Sequence, residues 1–287
     1  MKTRLIFIFL FLVNSALLLA QPSTEVYLFD LHKEGNGYIL KNPVNISDNP
    51  GYDNQPSFLP DGSAVLFTSY QDDQTDIIQY QVNTAEKKRL TQSDGSEYSP
   101  TVTPDGTHFT TIILEKDGTQ LLWKYPLDGG KAEVAVPELK IGYHCWYDEN
   151  TIVSFVLGEP ATLQSSNVNT AENKILDSNI GRSLHKIPNE NKVSYISKSN
   201  STWMIRSLNP ITGDSKNIIE TLPNSEDMSW APDGSIFMGQ QSSLYWYDPK
   251  GDEKWQEVST PENLELKNIS RISVSPKGDK IALVIEE

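Results

Sequence analysis

The 287-residue sequence has one cysteine, Cys145, only four histidines, and no apolar run of membrane length after its first twenty residues. A lone cysteine excludes an intrachain disulfide, so packing and sheet pairing must hold the fold together. Basic residues are scarce as well: 24 Lys and Arg stand against 38 Asp and Glu, for a formal net charge of −14. Nucleic acid and anionic membrane surfaces both demand a basic face, and this balance argues against either as partner. The sequence signatures of common catalytic sites are missing too. There is no G-x-S-x-G elbow, no glycine-rich phosphate loop and no H-E-x-x-H, and no spacing links a Ser to a His.

The one long apolar stretch stands at the amino end. Lys2 and Arg4 precede an apolar run over 5–19, broken at Asn14 and Ser15, and the small Ala20 precedes Gln21 and Pro22. Charged, apolar, then small is the order of a secretory signal peptide, which predicts cleavage near Ala20 and export to the periplasm or beyond the cell. The run is too short to span a bilayer comfortably, and no cysteine near the cut offers a lipid anchor. Residues 21–287 then form the expected single domain, with no membrane segment of its own and a net charge of −16.

That remainder repeats. Pro-Asp-Gly follows a short apolar alternation at Pro60, Pro104 and Pro232, and a second alternation rich in β-formers comes after each. Pro presets φ, Asp bonds its own backbone, and Gly takes the positive φ that closes a hairpin. Two weaker copies centre on Asp148-Glu149-Asn150 and Pro188-Asn189-Glu190-Asn191, and a last on Pro276-Lys277-Gly278. The apolar residue just ahead of each turn serves as a marker: Phe58, Val102, Trp146, Ile187, Trp230 and Val274, spaced by 44, 44, 41, 43 and 44 residues. The first five hairpins are each followed by an aromatic or apolar strand, a polar turn and a more polar strand. Four strands per repeat of this length predict an all-β, six-bladed β-propeller with four antiparallel strands per blade. The sixth repeat stops after two strands, while 25–47 reads as a third and fourth strand with no hairpin before them. The last blade is therefore expected to be closed by two N-terminal and two C-terminal strands.

The Pro-Asp-Gly hairpins, their spacing and the six copies resemble the PD40 (WD40-like) repeats of the TolB propeller. The resemblance covers nearly all of 21–287. TolB carries a further amino-terminal domain, for which no room is expected in this sequence. The resemblance implies an exported propeller that binds a protein or other ligand across one face or in its channel.

Candidate site residues follow from position in the repeat. His144 and His185 each lie two residues before a marker in neighbouring blades, and are expected near one mouth of the channel. They either begin a metal site or fill a tapering ring as hydrogen-bonded polar residues. Some pectate-degrading lyase propellers hold a divalent metal by several His. This chain has four, two of them, His32 and His108, elsewhere in the repeat, so neither metal nor cofactor is expected. Asp53, Glu97, Arg182, Glu226, Asp227 and Arg271 fall within five residues of their markers and are expected to ring the same face as a mixed, mostly acidic rim. His144, His185, Arg182, Arg271, Glu97 and Asp227 are thus the candidate ligand-binding set. Trp123, Tyr125, Trp203, Tyr245, Trp246 and Tyr247 are expected to pack mainly between blades. The favoured reading is a non-enzymatic binding propeller for a protein or peptide. The alternative is a carbohydrate-active propeller, lyase-like or sugar-binding, with its site at the channel mouth.

Overall fold

The computed structural model describes residues 23–261 and 265–286; the expected signal peptide over 1–20 lies outside them. Local turn chemistry explains the order of elements. Where Pro-Asp-Gly closes a hairpin, the Gly stands at positive φ, +74° at Gly62 and +68° at Gly106. The Asp carboxylate caps the turn, as when Asp61 accepts from the Ser63 N–H at 2.9 Å.

Strands are numbered from the amino end: β1 (Thr24–Glu34) and β2 (Gly37–Asn45) come before any hairpin of the repeat. Blade 1 is β3 (Asp53–Phe58), β4 (Ala64–Gln71), β5 (Gln74–Gln81) and β6 (Lys87–Arg89). Blade 2 is β7 (Ser96–Val102), β8 (His108–Leu114), β9 (Gln120–Pro126) and β10 (Glu133–Val136). Blade 3 is β11 (Ile141–Trp146), β12 (Thr151–Val156), β13 (Thr162–Asn167) and β14 (Asn173–Ser178). Blade 4 is β15 (Ile180–Lys186), β16 (Val193–Ser197), β17 (Met204–Leu208) and β18 (Ser215–Glu220). Blade 5 is β19 (Met228–Trp230), β20 (Ile236–Gln240), β21 (Ser243–Tyr247) and β22 (Gln256–Glu257).

Blade 6 runs β23 (Arg271–Val274), β24 (Lys280–Glu286), β1, β2. Its two halves join through an unbroken antiparallel register from Thr24↔Glu286 to Asp30↔Lys280. The chain is a six-bladed propeller whose last blade is shared by its two ends. The inner strands β3, β7, β11, β15, β19 and β23 each touch the next, and β23 returns to β3 to close the ring.

Both faces of β4 and β24 are covered, which is why 64–67 and 281–285 read as continuous apolar runs. In β4, Val65 and Phe67 point to blade 6 while Leu66 points to blade 2. In β24, Ile281, Leu283 and Ile285 face blade 5 and Ala282 and Val284 face blade 1. Aromatic rings widen the same interfaces: Trp246 packs toward blade 6 and Tyr247 toward blade 4, Tyr125 stacks on Phe109 at 5.4 Å, and Trp203 lies against the blade 4–5 core. No helix among the described residues is long and apolar enough to cross a membrane.

Candidate functional site

Hairpin register decides which side chains enter the channel. Five markers pair with the first core residue of the next strand: Phe58↔Val65, Val102↔Phe109, Trp146↔Ile152, Trp230↔Ile236 and Val274↔Ile281. In blade 4 that partner, Val193, pairs with Lys186 rather than Ile187. The Ile187 N–H instead bonds the Lys192 carbonyl, as Leu59 bonds Ala64 and Ser275 bonds Lys280 just past their markers. The blade 4 marker is therefore Lys186. This corrects the alignment by one residue.

One residue along a strand reverses the side a residue faces. His144 points toward blade 2, where its Nε2 shares a 2.7 Å hydrogen bond with Thr110 Oγ1. That hydroxyl donates to the Thr101 carbonyl and also accepts from Trp146 Nε1 at 3.1 Å, so the imidazole is the donor. His185 points the other way, toward blade 5, with Nε2 3.0 Å from Ser183 Oγ. The two rings are not brought together. Burial depresses His144 to about 3 and His185 to about 4, the latter partly offset by Asp227, so both are neutral near pH 7. Burial also pushes the Cys145 thiol up to about 12, far from a reactive thiolate.

Ser183 and His185 have the residue types of a nucleophile and its base, but the bonding runs against that role. Ser183 is 7% exposed, its Oγ accepts from the Met228 N–H at 3.1 Å and faces the Met228 carbonyl at 3.3 Å. The serine thus ties blade 4 to blade 5, as Ser229 ties blade 5 to blade 6 through the Val274 N–H.

The charged candidates divide into two places. Asp227 receives Arg182 Nη2 at 2.6 Å and Nε at 3.2 Å, and Arg271 Nη1 at 3.1 Å. Arg271 Nη2 then donates to Tyr143 Oη at 3.2 Å, with its guanidinium 5.5 Å from that ring's centre. Tyr143 belongs to blade 3 and Arg271 to blade 6, so this chain of contacts crosses the channel. Glu226 supports it by accepting the Arg182 N–H at 2.7 Å, an approach that Gly181 permits: a Cβ there would lie 3.0 Å from Glu226 Oε1.

Glu97 and Asp53 are elsewhere. Glu97 is fully buried between blades 1 and 2 beside Asp76, and Asp53 is fully buried between blades 6 and 1 near Glu25. With both removed from the mouth, the expected mostly acidic rim is replaced by a basic wall.

A cavity of about 690 Å³ occupies the channel. Its wall includes His144, His185, Arg182, Asp227 and Arg271, but not Glu97. At one end lies the Tyr143–Arg271–Asp227–Arg182 chain. At the other is a rim of turn prolines, Pro60, Pro104, Pro188, Pro232 and Pro276, with the marker ring between them. Lys186 also lines the cavity, and no candidate set drawn on apolar markers would include it. The signal was in the distance to the turn proline: Lys186 stands two residues before Pro188, as Phe58, Val102, Trp230 and Val274 stand before Pro60, Pro104, Pro232 and Pro276, whereas Ile187 stands one before it. Among the described residues no three His, Cys, Asp or Glu side chains gather as a metal-holding group.

No family model and no curated protein matches the sequence. Solved structures match the fold at low identity. A TolB structure from Agrobacterium tumefaciens is similar at TM-score 0.69 and 12% identity, over 93% of this chain and 99% of that one. An oligogalacturonate lyase in complex with manganese is similar at TM-score 0.61 and 12% identity, over 94% and 99%. A chain of a nidogen/laminin complex is similar at TM-score 0.63 and 12% identity, over 87% and 97%. At these identities the likeness is one of fold.

Proposed function

We propose that this chain is an exported, non-enzymatic binding propeller that receives a protein or peptide partner at the proline rim of its channel. One observation carries the reading: a cavity of about 690 Å³ runs from that rim to the Tyr143–Arg271–Asp227–Arg182 chain. Its volume lies within the roughly 300–1,000 Å³ of small-ligand sites, so it suits a short segment of a partner, not a folded domain. The titratable groups on the wall favour binding over chemistry. Two neutral, hydrogen-bonded imidazoles and a protonated thiol offer neither an activated nucleophile nor a poised base. Export rests on the signal-peptide order of residues 1–20. TolB and the nidogen/laminin complex lend the reading a precedent in fold.

The test is affinity capture from the envelope and secreted fractions, with the wild-type chain beside Ser273→Phe, which fills the channel wall. A partner retained by the wild type and lost from a variant of unchanged melting temperature supports the reading. Identical recovery on both counts against it.

A further inference from the structure

Five of the six marker positions carry apolar side chains, Phe58, Val102, Trp146, Trp230 and Val274, and all five line the cavity. The sixth carries Lys186. A lysine in an otherwise apolar ring costs desolvation that the Phe, Val or Trp of the other five positions would avoid. Its ammonium sits 4.2 Å from the centre of the Tyr147 ring, and among the described residues no carboxylate lies within 4.0 Å of it. Asp148 and Cys145 act on it only at longer range, and burial lowers its pKa. The surrounding rim is irregular at the same place. Blade 3 turns without Pro or Gly, and blade 4 has Glu190 at the glycine's place with the positive φ carried by the preceding Asn189.

The charge of the whole wall points the same way. In a chain of net charge −14, the cavity is lined by Arg182, Lys186 and Arg271 against Asp227 alone. Both arginines are committed to Asp227. Lys186 is the cation left to meet a ligand.

We infer that the channel holds an amphipathic acidic peptide segment, one carboxylate meeting Lys186 over Tyr147 while flanking apolar side chains lie on the marker ring. This rests on the peptide-binding reading above and names the chemistry of its partner. A polyanion such as an oligouronate fits less well. It carries a charge on every unit, finds one uncommitted cation, and meets the long-range repulsion of an acidic chain.

The experiment uses the full mature chain, immobilised, and two hexapeptide mixtures, acetylated and amidated to remove terminal charge. Five positions vary over Ala, Val, Leu, Phe and Pro, and the sixth is Glu in one mixture and Gln in the other; trigalacturonate is the third probe. A desolvated charge-assisted contact is expected to favour the Glu mixture about tenfold. Lys186→Met should bring the two mixtures to parity, and Lys186→Arg should keep the preference. Lys186→Met should also melt no lower than wild type, because an apolar side chain is the rule at that register. Equal retention of both mixtures by the wild type, or a preference that survives in Lys186→Met, overturns the inference and leaves peptide binding standing. Retention of trigalacturonate with neither mixture retained overturns both.

Discussion

Two buried carboxylates, Asp53 and Glu97, decide how this protein should respond to pH. They are equivalent in the repeat, each five residues before its marker. Each faces a carboxylate from the third strand of the preceding blade. Glu25 and Asp76 are themselves equivalent, four residues before Phe29 and Tyr80, which pair with the matching Ile281 and Val65. Each pair has one covering cation. Arg89 reaches Asp76 at 2.5 Å, and Lys87, bonded to the Ser47 carbonyl, acts on Asp53. Burial first, then the neighbouring carboxylate, pushes Glu97 up to about 8 and Asp53 up to about 7. Above the ordinary carboxylate range the native state then holds protons that the unfolded chain has lost, so stability falls as pH rises through 7 and 8. His144 and His185 act in the opposite sense. Their folded pKa values lie below the unfolded one, so their contribution is present above about 6.5 and lost as pH falls toward 3. The opposing slopes cancel near about pH 5–6, and decline is expected on the alkaline side. Glu97→Gln should flatten the fall in melting temperature between about pH 6.5 and 8, since the amide cannot ionise and above that window the native carboxyl is charged as well. A variant with the wild-type slope would show that Glu97 is already charged. Glu97 illustrates why residues were harder to read than strands. Its repeat position was legible, but whether that position faces the channel or the neighbouring blade depends on packing against Asp76, 21 residues earlier in the chain.

At the scale of the element, the Pro-Asp-Gly turns do more than close hairpins. In three of the six blades a turn proline packs on the turn glycine of the following blade. A Cβ on Gly278 would lie 3.1 Å from Pro232, one on Gly106 would lie 3.7 Å from Pro60, and one on Gly62 would lie 4.0 Å from Pro276. The three glycines share a positive φ, +71°, +68° and +74°, so substitution costs each the same backbone penalty of roughly 1–2 kcal/mol. Only Gly278 adds a clash with a rigid ring. Gly278→Ala should therefore lose about 1 kcal/mol more than Gly62→Ala in chemical denaturation. Equal losses would mean that the proline–glycine stack contributes nothing beyond the turns. This regularity made the blades legible, because turn chemistry is local and survives in the sequence. The offset at Lys186 was obscured because blade 4 spends its turn on Pro188-Asn189-Glu190-Asn191, and an apolar Ile187 stood beside the charged residue that holds the register.

For the whole molecule, closure rests on strand pairing and on the cores packed between blades, with no covalent link. Sharing blade 6 between β1–β2 and β23–β24 removes two open sheet edges without a disulfide, and edges left open invite strand addition. Deleting residues 25–31, or ending the chain before Lys280, should open the ring and give aggregated protein by size-exclusion chromatography. A monomer with an unchanged melting temperature would contradict this. That architecture was fully legible, because counting strands at both ends required no knowledge of packing.

The same shared blade fixes how the ring hangs from anything attached to it. Thr24 pairs with Glu286 and bonds Gly51 and Asp53, beside the start of β3. Both ends of the described chain thus leave from one point, at the Arg271 end of the channel. A tether at either end would hold the ring like a cup by its base, with the proline rim and Lys186 facing outward.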